Sequence, residues 1–265
     1  NMAVSIQYDN DNSYNGGTGK GTSFDQFAPI GTPVTSGGRS VMTICGKSKH
    51  IRFENVTIEN TNCRYRGFGE ALYIDNESAA FVNCRLIGYQ DTLLPGGGYN
   101  WFYQCYIEGA TDFIWGSGKV VLFEDCELHA PTGTRAVMQA RVTKDYLGYV
   151  FDRCRFTVGA GYQSTLIYQY EPDNLTFLKC TFADIYAQNF VEKNKPLVPN
   201  QPTVTEGCKM YGCTNESGAE FYNLIPNAVR ATVLNLTDEQ FEQNFGSRKQ
   251  IMSWDSNTDA SWFQE

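Results

Sequence analysis

Apolar and polar residues alternate in a block that recurs along the chain: Phe, any residue, a polar residue, usually Cys, any residue, then an apolar one. FVNCRL (Phe81 to Leu86), FYQCYI (Phe102 to Ile107), FEDCEL (Phe123 to Leu128), FDRCRF (Phe151 to Phe156) and FLKCTF (Phe177 to Phe182) are full copies, and FENVTI (Phe53 to Ile58) is a Cys-less first copy. The period of two within each copy predicts a short strand with one buried face. Successive copies begin 28, 21, 21, 28 and 26 residues apart. Strand-based periods of that length, with no helical stretch between them, predict an all-β solenoid, the coils of a parallel β-helix stacked along one axis. The whole chain, 1–265, reads as one domain. Residues 1–41 form a loop-rich opening full of Gly, Ser, Thr and Asn, 42–182 the regular coils, and 183–265 loops and a cap. After Cys180 the pattern lapses into a loop with Pro196, Pro199 and Pro202. In LTDEQFEQNF (Leu236 to Phe245), Thr237 followed three residues later by Gln240 predicts a capping box and a short C-terminal helix covering the end of the stack.

The same period organises the candidate chemistry. Asp91 in GYQDTL (Gly88 to Leu93) lies ten residues beyond Phe81, and Asp112 in ATDFIWG (Ala110 to Gly116) lies ten beyond Phe102, so the two are 21 residues apart. Residues one coil apart lie above one another at about 4.8 Å, the spacing of neighbouring strands. Two carboxylates so placed in a partly dry cleft cannot both ionise easily, and the pair divides into a proton donor and an anion. That suits a carboxylate nucleophile beside a general acid, in ester hydrolysis or in retaining glycoside hydrolysis. The plainer reading is a pair of loop aspartates capping turns. Serine hydrolase chemistry is disfavoured: there is no G-x-S-x-G elbow, and His50 and His129 lie beside or within strand copies.

Composition narrows the picture further. A hydrophobic content of 42% and 14% aromatics exclude a disordered chain, and a net charge of −8 disfavours nucleic acid or an anionic membrane as partner. Of nine cysteines, Cys84, Cys105, Cys126, Cys154 and Cys180 share one repeat position. They read as a stack of small apolar thiols rather than as bridges. Cys208 and Cys213 are near enough to close a small loop, and Cys45 and Cys63 would pair only across a coil. No C-x-x-C pair suggests a zinc site.

GYQDTL and EGATDFIWG, one coil apart, resemble the two signature segments of the pectin methylesterases, carbohydrate esterases built on a right-handed parallel β-helix. FENVTIENT (Phe53 to Thr61), GEALYI (Gly69 to Ile74), MQAR (Met138 to Arg141) and the trailing GAEFYN and IMSW pieces look similar too, so that the resemblance covers residues 42 to 255. It implies hydrolysis of the methyl esters of galacturonate units in methyl-esterified pectin (homogalacturonan), by a secreted, monomeric cell-wall enzyme needing no cofactor and no metal. Carried onto this sequence, it makes Asp112 the nucleophile, Asp91 the acid and base, and Gln90 an oxyanion donor. Tyr89, Trp115, Phe68, Arg141 and Tyr170 become candidate substrate contacts, with Trp101 a further aromatic beside the motifs. The sequence departs from the family in two places. The alignment puts Phe68 where a second oxyanion Gln is usual. LIYQY (Leu166 to Tyr170) stands in place of an L-G-R-P-W segment, with Tyr168 for its Arg and Tyr170 for its Trp. Loss of that cation is expected to raise the pKa of Asp112. These departures carry the alternative reading, a catalytically impaired relative that binds pectic polysaccharide or has a structural role. A different β-helix enzyme, such as a polygalacturonase or pectate lyase, is the weakest reading, because neither the G-H-G and R-I-K segments nor a calcium-site cluster is present.

Overall fold

Three parallel sheets run along the protein, and successive turns of the chain add strands to each of them. The structure, a computed structural model, describes residues 4–8, 40–46, 49–61, 69–132, 135–142, 145–169, 173–193, 202–255 and 259–264. Sheet A stacks, in order, Val4–Tyr8, Val56–Asn60, Arg85–Ile87, Tyr106–Glu108, Glu127–Ala130, Arg155–Val158, Thr181–Phe182 and Thr214–Asn215. Sheet B stacks Met42–Cys45, Leu72–Asp75, Leu93–Pro95, Ile114–Gly116, Ala136–Ala140, Thr165–Gln169 and Val191–Lys193. Sheet C runs from Ile51–Glu54 through Ser78–Val82, Tyr99–Tyr103, Val120–Glu124, Gly148–Asp152, Leu175–Leu178 and Cys208–Tyr211 to Val233–Asn235. This is the parallel β-helix expected from the repeat. Most of the opening, 9–39, lies outside the described residues, as do Cys63, Pro196 and Pro199.

Each repeat block turns out to be a corner rather than a single strand. Its Phe is the last residue but one of a strand of sheet C, its polar residue bends the chain, and its last residues begin a strand of sheet A. Asn55, Asn83, Gln104, Asp125, Arg153 and Lys179 all sit at that bend with φ between 51° and 58°, the left-handed region. Side chains there project to the surface, which is why the position is polar. Asn83 Nδ2 donates to Asn55 Oδ1 at 2.6 Å, linking two bends in the stack.

Inside the corner, Phe53, Phe81, Phe102, Phe123, Phe151 and Phe177 form one column, with rings within 11° of parallel and centroids 4.7–5.4 Å apart. The cysteines form a second column beside it. The thiols of Cys105, Cys126, Cys154 and Cys180 each donate to the carbonyl of the repeat Phe one coil earlier at 3.3 Å. Cys213 extends this column, donating to Phe177 O at 3.4 Å, with Met210 standing in register on Phe177. The eight described cysteines are all free, so the bridge between Cys208 and Cys213 is not formed. Burial pushes the thiols of Cys105, Cys154 and Cys213 well up and keeps them protonated.

The C-terminal helical cover has two parts. At the end of the stack, the short helix Phe221–Leu224 sets Phe221 on Phe182 with centroids 4.3 Å apart. The predicted helix forms over Asp238–Asn244 with the full capping box of Thr237 and Gln240. Together with the helix Arg248–Met252, it lies along the side of the solenoid, against the outer face of sheet C. There Phe241, Phe245, Ile251, Met252 and Phe263 form a second core with Ala80, Trp101, Leu122, Val150 and Leu178. Trp101 is fully buried in it and does not reach the acid pair. Glu124 fastens this strap: its carboxylate accepts from Trp101 Nε1 at 2.9 Å, Arg153 Nη2 at 2.8 Å and Arg248 Nε at 2.6 Å.

Burial opposes the ionised Glu124, but the bonds from Arg248, Arg153 and Trp101 outweigh it and hold the carboxyl below its ordinary value. A lowered pKa stabilises the fold above the unfolded carboxyl's value and loses that stabilisation as pH falls through the folded one. Glu124→Gln is therefore expected to cost about 3 kcal/mol at pH 7. Denaturant unfolding of both proteins should show the difference shrinking as the pH drops below about 4.

Candidate active site

Two glycines, also 21 residues apart, shape the corner that leads from sheet A into sheet B. A Cβ at Gly88 would lie 2.4 Å from Thr92 Oγ1, and one at Gly109 would lie 2.2 Å from Phe113 Cβ, so only glycine permits the chain to double back this closely. Thr92 Oγ1 then donates to Glu108 O at 3.0 Å across the two turns. Past the glycines, Gln90 and Thr111 form a single parallel bridge, and Asp91 N donates to Thr111 O at 3.1 Å. Beyond the acids the ladder resumes as Leu93 on Ile114, and Asp112 N donates to Ala136 O at 2.7 Å. Asp91 and Asp112 thus occupy equivalent places on adjacent coils, both in the left-handed conformation, with φ of 65° and 45°. Aspartate is among the residues that tolerate this region.

Glu70 precedes Asp91 by the same 21 residues. The register Leu72 on Leu93 on Ile114, two residues further along each coil, puts Glu70, Asp91 and Asp112 in one column. Glu70 is fully buried. The coil register therefore places Glu70 beside the pair. Phe68 and Tyr170 lie outside the described residues. The 21-residue interval, counted back from Asp91, marks this third acid in the sequence.

Asp112 is 9% exposed, and its carboxylate is held on one side only. Gln139, on the strand Ala136–Ala140, donates from Nε2 to Asp112 Oδ2 at 3.4 Å, while the buried Oδ1 has no hydrogen-bond partner among the described residues. Arg141 donates from Nε and Nη2 to Gln139 Oε1 at 3.1 and 2.6 Å. Its guanidinium lies 4.8 Å from the ring centre of Trp115, which is half-buried on the neighbouring strand. A second arginine also serves the site. Arg135 lies over Tyr168 at 3.8 Å and pairs with Glu192 at 3.1 Å, so a cation from the preceding coil stands where the alignment had placed a tyrosine for an arginine. Gln139 and Arg135 carry no mark in the sequence pattern: the coil after Asp112 is longer, pairing Asp112 with Ala136, and the 21-residue interval no longer applies. Tyr89 is half-buried beside the bridge, its carbonyl accepting from Ala110 N at 2.6 Å.

Burial raises the Asp112 carboxyl from its usual value to about 6; Arg135 and then Arg141 pull it down, and Glu192 adds to the rise. The expected upward shift is present, but it arises from burial, and arginines are at hand to oppose it.

Residues 35–165 match the family model described as Pectinesterase. This stretch, which holds both aspartates, belongs to the pectinesterase family. No curated protein matches the sequence. Among solved structures, pectin methylesterase from carrot is 16% identical with a TM-score of 0.68, the match covering 99% of this chain and 77% of that one. Pectin methylesterase from Aspergillus niger in penultimately deglycosylated form is 18% identical with a TM-score of 0.68, over 97% of this chain and 75% of that one. A pectin methylesterase in complex with hexasaccharide VII is 18% identical with a TM-score of 0.65, over 94% of this chain and 79% of that one. At these identities the likeness establishes the parallel β-helix fold. The family is one of carboxylic ester hydrolases.

The raised carboxyl of Asp112 has a stability signature. An acid whose pKa is raised on folding penalises the fold once ionised, so the penalty is absent below about pH 4 and complete above the folded value. Asp112→Asn should leave stability near pH 4 unchanged and increase it at pH 8 by on the order of 2 kcal/mol. Urea unfolding at the two pH values measures this; equal stability of the two proteins at pH 8 would contradict it.

Proposed function

We propose that this pectinesterase-family protein is a pectin methylesterase acting on methyl-esterified homogalacturonan, with Asp112 as nucleophile. The observation that carries this reading is the asymmetric Asp112 carboxylate, tethered at Oδ2 and unpartnered at Oδ1, stacked on a second aspartate one coil away. The Asp112 carboxylate attacks the methyl-ester carbonyl carbon, and the electron pair of the carbonyl moves onto its oxygen, where the Gln90 amide donates a hydrogen bond. Such a donor contributes about 3 kcal/mol in comparable sites. Collapse of this intermediate breaks the bond to the methoxy oxygen, which takes the proton of Asp91 and leaves as methanol. Asp91, now a carboxylate, removes a proton from water as the water attacks the acyl carbon. The Asp112 carboxylate is released and the galacturonate acid departs.

Tyr89 and Trp115 offer aromatic faces to sugar rings beside the pair, with Phe68 and Tyr170 as further contacts. The reaction takes place outside the cell, at the cell wall, with the chain acting as a monomer and without a cofactor. A non-catalytic pectin-binding role is the second reading, favoured by Tyr168 standing at the family's usual arginine position.

Methanol release from methyl-esterified pectin tests the proposal. The native protein should release methanol, and Asp112→Ala should reduce kcat by about 10³-fold or more. Because Asp112 must be ionised to attack, kcat/KM should rise with unit slope through a midpoint near pH 6. Pectin binding without methanol release by the native protein would refute it in favour of the second reading, and undiminished release by Asp112→Ala would refute Asp112 as the nucleophile.

A further inference from the structure

The geometry points to Gln139 as a positioning residue for the nucleophile, fixed in that role by Arg141. This inference rests on Asp112 being the attacking group. A glutamine amide has a carbonyl oxygen and an NH2, and which of them faces a neighbour is set by the partners of each. Here the choice is forced. Arg141 has donors only, and two of its N–H groups converge on Gln139 Oε1. Gln139 must therefore turn its NH2 toward Asp112, where Nε2 meets Oδ2 at 3.4 Å. Arg141 is itself held in place, its guanidinium over the Trp115 ring at 4.8 Å from the ring centre. The result is a relay in which the arginine charge acts through the amide dipole and not by direct contact with the carboxylate.

Three consequences follow for Asp112. The tether fixes the carboxylate plane by holding Oδ2. A hydrogen bond to the anion favours the ionised form in a site where burial opposes it. Direct pairing with an arginine would serve ionisation too, but a bidentate pair would occupy both oxygens and lower their nucleophilicity. The charged groups acting on Asp112 are Arg135 and Arg141, which flank the strand Ala136–Ala140, and Glu192, three strands along sheet B from Ile114–Gly116, while Asp91 occupies the equivalent position on the preceding coil. Of these, Arg135 is engaged by Glu192, which leaves Arg141 through Gln139 as the cation that reaches the carboxylate by hydrogen bonds.

A double-mutant cycle separates this role from direct substrate binding by Arg141. The variants are Gln139→Leu, Arg141→Met, which keeps an apolar stem over Trp115, and the pair combined, each checked for an unchanged thermal midpoint within a few degrees. Gln139→Leu should lower kcat about 100-fold on methyl-esterified pectin, change KM by less than about threefold, and move the acid limb of the pH profile up by about one unit. Arg141→Met should act in the same direction, and the double variant should be no worse than Gln139→Leu, because both remove one relay. A change in KM alone for Arg141→Met, or effects on kcat that multiply in the double variant, would overturn the proposal. The carboxyl carbon of Asp112, titrated by NMR in the native protein and in Gln139→Leu, supplies a readout independent of activity. An upward shift in the variant supports the relay even if the native protein releases no methanol, and an unchanged titration overturns it even if methanol is released.

Discussion

Registration of one coil on the next is the constraint from which the rest of this protein follows. A phenyl ring stacks at about 5 Å only if the ring below it stands in the same place, and one residue of slippage would turn every apolar side chain of a strand to the opposite face. The Phe column, the thiol column that donates to its carbonyls, and the row of left-handed bends are three expressions of the same registration. The acid pair is a fourth. The cooperative ladder on either side of them, Gln90 on Thr111 and Leu93 on Ile114, is what sets Asp91 and Asp112 at equivalent positions one strand spacing apart.

Around Asp112 that imposed proximity is combined with opposing influences. Burial favours the neutral acid, while Arg135 and Arg141 favour the anion, and the outcome is a carboxyl near 6. Neither arginine presses directly on it by hydrogen bonds. One is occupied by Glu192 and Tyr168 and the other by Gln139 and Trp115, so the site's positive charge is delivered at one remove. A group so balanced can exist as a competent anion in weakly acidic or neutral solution without being locked into an ion pair.

Much of this was legible in the chain because a solenoid writes its geometry as repetition. The Phe-x-polar-Cys block located the core column, the 21-residue interval located the acids, and Thr237 with Gln240 located a helix start. What escaped did so for physical reasons. The Cys213 copy was hidden because Met210 replaces Phe and Gly212, with φ of 60°, replaces the polar residue: a flexible apolar chain fills the same space and glycine reaches the same conformation. Glu70 lies outside both aspartate motifs, and only the coil interval counted back from Asp91 reaches it. Gln139 and Arg135 belong to a longer coil, where loop insertion breaks the interval, so only the folded register shows which side chains meet. The side position of the C-terminal helices had a sequence trace too. Sheet C strands such as Val120–Glu124 are buried on both faces, and a strand apolar on both faces needs a cover on each.

That double-sided burial has a consequence for how the molecule can fail. The strap follows the last sheet C strand, Val233–Asn235, after only two residues and is anchored at Glu124 through Arg248; lifted from the sheet, it opens the face it covers. What it would uncover is a flat ladder of Ala80, Trp101, Leu122, Val150 and Leu178. Such a face is an adhesive one, suited to a second copy in the same condition. Loss of the tail would therefore show itself first as insolubility, with the β-sheet signal intact and the aspartate pair beside sheet B still in register.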